Sequence, residues 1–168
     1  AFTKLSGAIE QARSSADAQI VAGGRYDRSE GWYIRPTLIT SDNPSQDIFA
    51  TEYFGPILGI HVYDDERYTD MLTLVDQASP YALTGAVFAT DRTAVEQAST
   101  ALRHTAGNFY VNDKPTGAVV GQQPFDGSRA SGTNDKAGSL WNLMRWVSPR
   151  AIKENLLPPT GTSYPHMA

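Results

Sequence analysis

A chain of 168 residues is long enough for one compact domain with a sizeable core. It is 40% hydrophobic and 19% charged, in the ordinary globular range, and its net charge of -4 argues against nucleic acid or an anionic membrane as partner. With no cysteine, a disulfide framework, a thiolate metal site and a thiol nucleophile are excluded within this chain, and no apolar run approaches the roughly 20 residues of a membrane span.

Phe2, Leu5 and Ile9, at spacings of three and four, predict a helix to about Arg13, closed by Ser14-Ser15-Ala16-Asp17. No capping Ser, Thr or Asp precedes it and no initiator Met or leader pattern opens the chain, so the expectation is a piece of a larger protein entered partway through an element. Residues 18–22 predict a short strand closed by Gly23-Gly24. Residues 32–39 read as extended, with Pro36 at an edge or bend, and residues 42–45 as a turn cluster. A strand is expected over 57–63, then a helix over 66–78 with Met71, Leu72 and Val75 on one face. A strand over 85–89 follows. Asp91 is placed to cap a helix over 92–105 that buries Val95, Ala98 and Leu102. Residues 108–111 predict a short buried strand. Residues 112–139 lack apolar periodicity, residues 140–152 resume as extended structure, and the Pro-rich tail is irregular. Strands and helices in this alternation predict an α/β fold of βαβ units with a parallel-type sheet.

A structureless stretch as long as 112–139 is seldom a passive connector in a compact domain. Gly117, Gly121, Gly127, Gly132 and Gly138 punctuate it, and Lys114, Arg129 and Lys136 could attract an anion; a flexible loop with solvated charges is the plainer alternative. The glycines follow neither a dinucleotide nor a Walker pattern. Upstream, Glu52 precedes Tyr53-Phe54-Gly55-Pro56 on a turn leading into the strand at Ile57. A carboxylate there could accept both hydroxyls of a ribose diol, or be a solvated glutamate beside a buried Phe54. His61, His104 and His166 lack ligand spacing, so no metal is expected, and no G-x-S-x-G elbow is present. Trp141 and Trp146 read as packing residues on the last strand. The tail is either disordered or a strap across a partner subunit.

Taken together, several segments resemble the aldehyde dehydrogenase family. Glu52-Tyr53-Phe54-Gly55-Pro56 is similar to its E-x-F-G-P motif. The run from Tyr81 to Phe88, the run from Gly107 to Lys114, and Pro124-Phe125-Asp126-Gly127-Ser128-Arg129-Ala130-Ser131-Gly132 follow in the family's order. The run from Thr116 to Phe125, with Ser131-Gly132-Thr133-Asn134-Asp135-Lys136, resembles the pyrroline-5-carboxylate dehydrogenase branch more narrowly. The likeness covers essentially the whole chain.

The resemblance implies oxidation of glutamate γ-semialdehyde to glutamate with NAD in proline catabolism. By it, residues 1–139 are the later portion of the catalytic domain and residues 140–168 an oligomerisation strand and tail. The dinucleotide-binding domain, the cysteine nucleophile and the deacylating base would precede Ala1, leaving no catalytic residue here. The partners would be that missing portion, the aldehyde and further copies in a homo-oligomer. Glu52 would bind the ribose next to the nicotinamide and Phe54 would pack near that ring. Gly117 and Ala118 would hold the substrate carboxylate through backbone N–H groups, and Phe125 would wall the aliphatic chain. The compartment implied is the cytoplasm in a bacterium and the mitochondrial matrix in a eukaryote. Asp126 departs from the family's two glycines after Pro-Phe, which leaves a tolerated left-handed turn or a local distortion open. Two rivals stand beside this reading: a dehydrogenase of another carboxylated aldehyde, and a non-catalytic binding or oligomerisation module.

Overall fold

The structure is a computed structural model that describes residues 1–114, 117–119, 121–158 and 160–167. Thr116 and Val120 of the narrower motif, and Pro159 and Ala168 of the tail, lie outside the described residues. In chain order the elements are α1 (Phe2–Ser14), β1 (Ala18–Ala22), β2 (Tyr26–Asp27), β3 (Tyr33–Ile34), β4 (Thr37–Ser41), α2 (Asp47–Ala50) and β5 (Ile57–Ile60). There follow α3 (Tyr68–Gln77), β6 (Tyr81–Ala82), β7 (Thr84–Val87), α4 (Arg92–Ala101), β8 (Asn108–Val111), β9 (Ser128–Arg129) and α5 (Leu140–Met144).

β4 is the centre of a sheet, antiparallel to β1 and parallel to β5. The buried stripe of α1, made of Leu5, Ala8, Ile9 and Ala12, covers this layer together with Ile39. Each large aliphatic side chain buried there contributes about 1.5–3 kcal/mol. Thr37 is buried in β4 without penalty because its hydroxyl donates to the Arg35 carbonyl at 2.8 Å and accepts from Gly24 N at 3.0 Å. The β7–α4–β8 segment is a βαβ unit with β7 and β8 parallel. Leu72 of α3 packs there against Ala98 and Leu102, with Tyr68, Val87 and Phe109 around them.

The mixed α/β architecture is the expected one, with parallel pairing at two places. Asp91 caps α4 by accepting from Thr93 N at 2.9 Å, and Val95, Ala98 and Leu102 are buried as the spacing predicts. Val75 is 50% exposed, so the buried face of α3 is Met71 and Leu72. The extended reading of 140–152 is corrected. Leu140–Met144 is a short helix and residues 147–152 join no strand. Leu140 lies three and four residues before Leu143 and Met144, and Leu and Met favour helix, so this apolar run makes one helical turn. Trp141 and Trp146 are 70% and 82% exposed and pack no core in this chain.

Candidate functional site

The first motif loop, 51–56, is supported by the elements around it. Asp47 of α2 accepts hydrogen bonds from the hydroxyls of Thr51 and Tyr53. Those two bonds, the Thr51 one first, hold the Asp47 carboxyl below its ordinary range. Burial, and then the bond to Asp47, push the Tyr53 phenol up to about 12. Lys4 of α1 donates to the Glu52 carbonyl and stands 5.3 Å from the Tyr53 ring centroid. Gly55 lies on Leu5, where a Cβ would fall 2.5 Å from the leucine methyls, and Thr37 N donates to the Pro56 carbonyl at 2.9 Å.

With Tyr53 turned inward, Phe54 turns out. It is 89% exposed, at a φ of 54°, a backbone conformation that costs an aromatic residue about 1–2 kcal/mol. Phe54 is therefore not the buried neighbour that one reading of the motif supposed. Glu52 is exposed, and among the described residues nothing engages its carboxylate.

The second motif loop is wired internally. Phe125 and Ala137 exchange backbone hydrogen bonds of 3.0 and 3.1 Å as an isolated antiparallel bridge. The Asp126 carboxylate accepts from Gly127 N at 2.8 Å and from Asp135 N at 2.7 Å, closing the eight residues between Asp126 and Asp135. The Asp126 oxygens thus satisfy two loop N–H groups, and its backbone is not left-handed, which corrects the left-handed turn held open for it. Lys136, at a φ of 58°, donates to the carbonyls of Gly107 and Asp126 and to Asn108 Oδ1. At Gly107 a Cβ would stand 2.1 Å from the Asp126 carbonyl oxygen, so the loop crosses β8 at a distance only glycine allows. Arg129 is bidentate to Asp76, through the backbone carbonyl at 2.7 Å and the carboxylate at 2.5 Å. Arg129 and Lys136 therefore brace the loop, which corrects their reading as anion attractors. Asp135 accepts from Thr133 Oγ1 and Arg145 Nε, each at 2.6 Å, and these bonds, the Thr133 one first, hold its carboxyl below the ordinary range.

This wiring leaves an open concavity of about 780 Å³ whose lining includes Gly117, Ala118, Gln123, Phe125 and Ala137. The three residues carried over as substrate contacts, Gly117, Ala118 and Phe125, thus share one cavity. Glu52 and Phe54 do not line it. A second concavity of about 510 Å³, between α2 and α3, contains none of the motif residues. Among the described residues, no three His, Asp or Glu side chains are grouped to hold a metal ion, and no helix is long and apolar enough to cross a membrane. Asn108, bonded to the Pro124 carbonyl and to Asp126 N on either side of Phe125, was not singled out from the sequence. An asparagine heading an otherwise apolar strand was the available signal, since strands are depleted in it.

The chain is 54% identical over 166 residues to the mitochondrial delta-1-pyrroline-5-carboxylate dehydrogenase of Dictyostelium discoideum, covering 99% of this chain and 30% of that protein. It is 48% identical to the human mitochondrial protein of the same name, again over 99% of this chain and 30% of the relative. The crystal structure of the Mycobacterium tuberculosis delta-pyrroline-5-carboxylate dehydrogenase bound with NAD superposes with a TM-score of 0.78 at 57% identity, covering 99% of this chain and 30% of that one. The chain therefore spans about 30% of the length of the relatives it matches. A sequence model of the aldehyde dehydrogenase family matches residues 1–152, and the chain belongs to that family.

Proposed function

We propose that this chain is part of an NAD-dependent enzyme that oxidises glutamate γ-semialdehyde to glutamate. The observation that carries the reading is the convergence of Gly117, Ala118 and Phe125 on one concavity. A small carboxylated aldehyde needs an anion anchor at one end and an apolar wall along its methylenes. Backbone N–H groups at Gly117 and Ala118 supply the anchor, and the Phe125 ring supplies the wall. The names of the 54% and 48% identical relatives support this substrate over other aldehydes.

NAD fits the other loop. The Glu52 carboxylate has no partner among the described residues, and Phe54 is held outward at positive φ. Glu52 would hold a ribose diol and Phe54 would cover the nicotinamide ring. NAD, when bound, supplies the two-electron oxidation of the aldehyde. The nucleophile is provided by sequence outside this cysteine-free chain, which would correspond to the later part of the enzyme. The compartment follows the host: cytoplasm in a bacterium, mitochondrial matrix in a eukaryote.

The test is NAD reduction by the complete polypeptide with glutamate semialdehyde and with succinate semialdehyde. A higher kcat/KM for the former is expected, and the reverse order overturns the substrate assignment. NADH production by a preparation containing only these 168 residues would overturn the division of labour.

We propose further that residues 140–168 form an assembly segment distinct from residues 1–139. Leu140, Trp141, Trp146, Leu156 and Leu157 are exposed in succession, and prolines lower the entropy cost of docking an extended tail. Removing the last dozen residues of the segment from the complete enzyme should reduce the mass in solution. An unchanged oligomer with an unchanged melting temperature overturns the idea.

A further inference from the structure

Asn108 opens β8 and is 9% exposed. Its carboxamide is directed at the two peptide groups that flank a single residue. Nδ2 donates to the Pro124 carbonyl at 2.9 Å, and Oδ1 accepts from Asp126 N at 3.3 Å. Lys136 Nζ also donates to Oδ1, at 3.3 Å. The two donors require oxygen on one side of the amide and the Pro124 carbonyl requires nitrogen on the other, so the three contacts agree on one orientation. Phe125 N and O are bonded to Ala137. Both peptide groups around Phe125 are thus bonded at both ends, and the backbone that carries the ring has no polar group left to rearrange.

We propose that Asn108 is a positioning residue for the aldehyde pocket. It sets where the Phe125 ring stands, and through it how closely a short aliphatic chain is gripped, without touching the substrate. A satisfied polar group at a strand start needs one partner to be neutral. Asn108 has three, and two of them bracket the residue that walls the cavity. Asp126 and Lys136 hold the returning strand of the same loop, so the ring's platform is fixed from below by Asn108 and from the side by Ala137. This inference rests on the proposed role of Phe125 in holding the aldehyde.

The experiment uses the complete dehydrogenase polypeptide. Asn108→Asp keeps the acceptor for Asp126 N and Lys136 but puts an oxygen against the Pro124 carbonyl. The expected signature is a KM for glutamate semialdehyde raised about tenfold, with kcat within about twofold and the KM for NAD unchanged. Amide hydrogen exchange of the peptide covering residues 122–138 should become faster. Should Asn108→Asp fail to fold, Asp126→Asn, which keeps the side-chain shape, should give the same split with a smaller rise. An unchanged aldehyde KM overturns the proposal. So does a parallel loss in kcat, NAD affinity and melting temperature, the mark of a merely structural residue. Failure of the substrate assignment is distinguishable from failure here. If another aldehyde is the better substrate, the same KM split is read with that aldehyde, and exchange at 122–138 unaltered by Asn108→Asp overturns the inference whatever the substrate.

Discussion

The loop at 51–56 takes its supports from its neighbours: Lys4 and Leu5 of α1, Thr37 of β4 and Asp47 of α2. The loop at 124–137 is bonded both to itself, through Phe125 to Ala137, Asp126 to Asp135 and Lys136 to Asp126, and to β8 and α3, through Asn108 to Pro124 and Arg129 to Asp76. In the first, the two residues of interest point away from the supports, and one is held at positive φ. In the second, the residue of interest is half-buried and its backbone is fully bonded. The difference teaches that a side chain can be presented in two ways. A strained exposed side chain waits for an occupant to cover it, whereas a braced side chain has its place before any occupant arrives.

The sharpest way to break the braced loop is Gly107→Ala. The new Cβ would meet the Asp126 carbonyl oxygen and Gly127 Cα, which are backbone and cannot swing aside. A destabilisation of about 3 kcal/mol is expected in chemical denaturation of the complete enzyme. A loss under about 1 kcal/mol would show that the loop slides easily over β8.

On the other loop, Glu52→Gln should weaken productive NAD binding by about 2 kcal/mol and leave aldehyde KM in place. Equal NAD affinity in titrations of mutant and parent would make Glu52 an ordinary surface residue. Phe54→Gly probes the strain directly. Glycine accepts positive φ, so folding stability should hold or rise by up to about 1 kcal/mol while NAD affinity falls. A clear drop in melting temperature would mean that Phe54 packs rather than waits.

The smallest effect is electrostatic. The lowered Asp135 carboxyl pKa makes its bonds to Thr133 and Arg145 a stabilising contribution present above the ordinary aspartate range. That contribution is lost as pH falls through the depressed folded value. An NMR titration of the Asp135 carboxyl should therefore give a midpoint below about 3.9, raised more by Thr133→Val than by Arg145→Met. A midpoint at or above the ordinary value would remove the bracing assigned to these bonds.

What was legible in the letters follows the strength of the local signal. α1 and α4 carry apolar residues at helical spacing, and Asp91 sits where a cap belongs, so their positions could be read closely. The two site loops could be located from their motifs, but not their wiring. The partners of Asp126 and Lys136 depend on several positive-φ residues, including Arg129, Asn134 and Lys136, which sterics disfavour and no local rule anticipates. Phe54 misleads for the same reason. A phenylalanine beside Gly-Pro reads as buried until its backbone is known to be left-handed. The segment after Ser139 misleads differently, because Leu140, Leu143 and Met144 make a single helical turn, too short for its spacing to stand out from an apolar run.

The contacts that anchor the middle of the second loop join residues far apart along the chain. Ser131 Oγ accepts from Ala82 N across 49 residues, Arg129 reaches Asp76 across 53, and β6 pairs with β9. Loops of that span close only after their entropy cost is met by contacts already made, so they come late in folding. β7, α4 and β8 must be in place before Asn108 has a loop to hold. The cavity's far wall, Ala137 and Gly138, comes last along the chain, so a chain halted short of Ala137 lacks the strand that Phe125 pairs with.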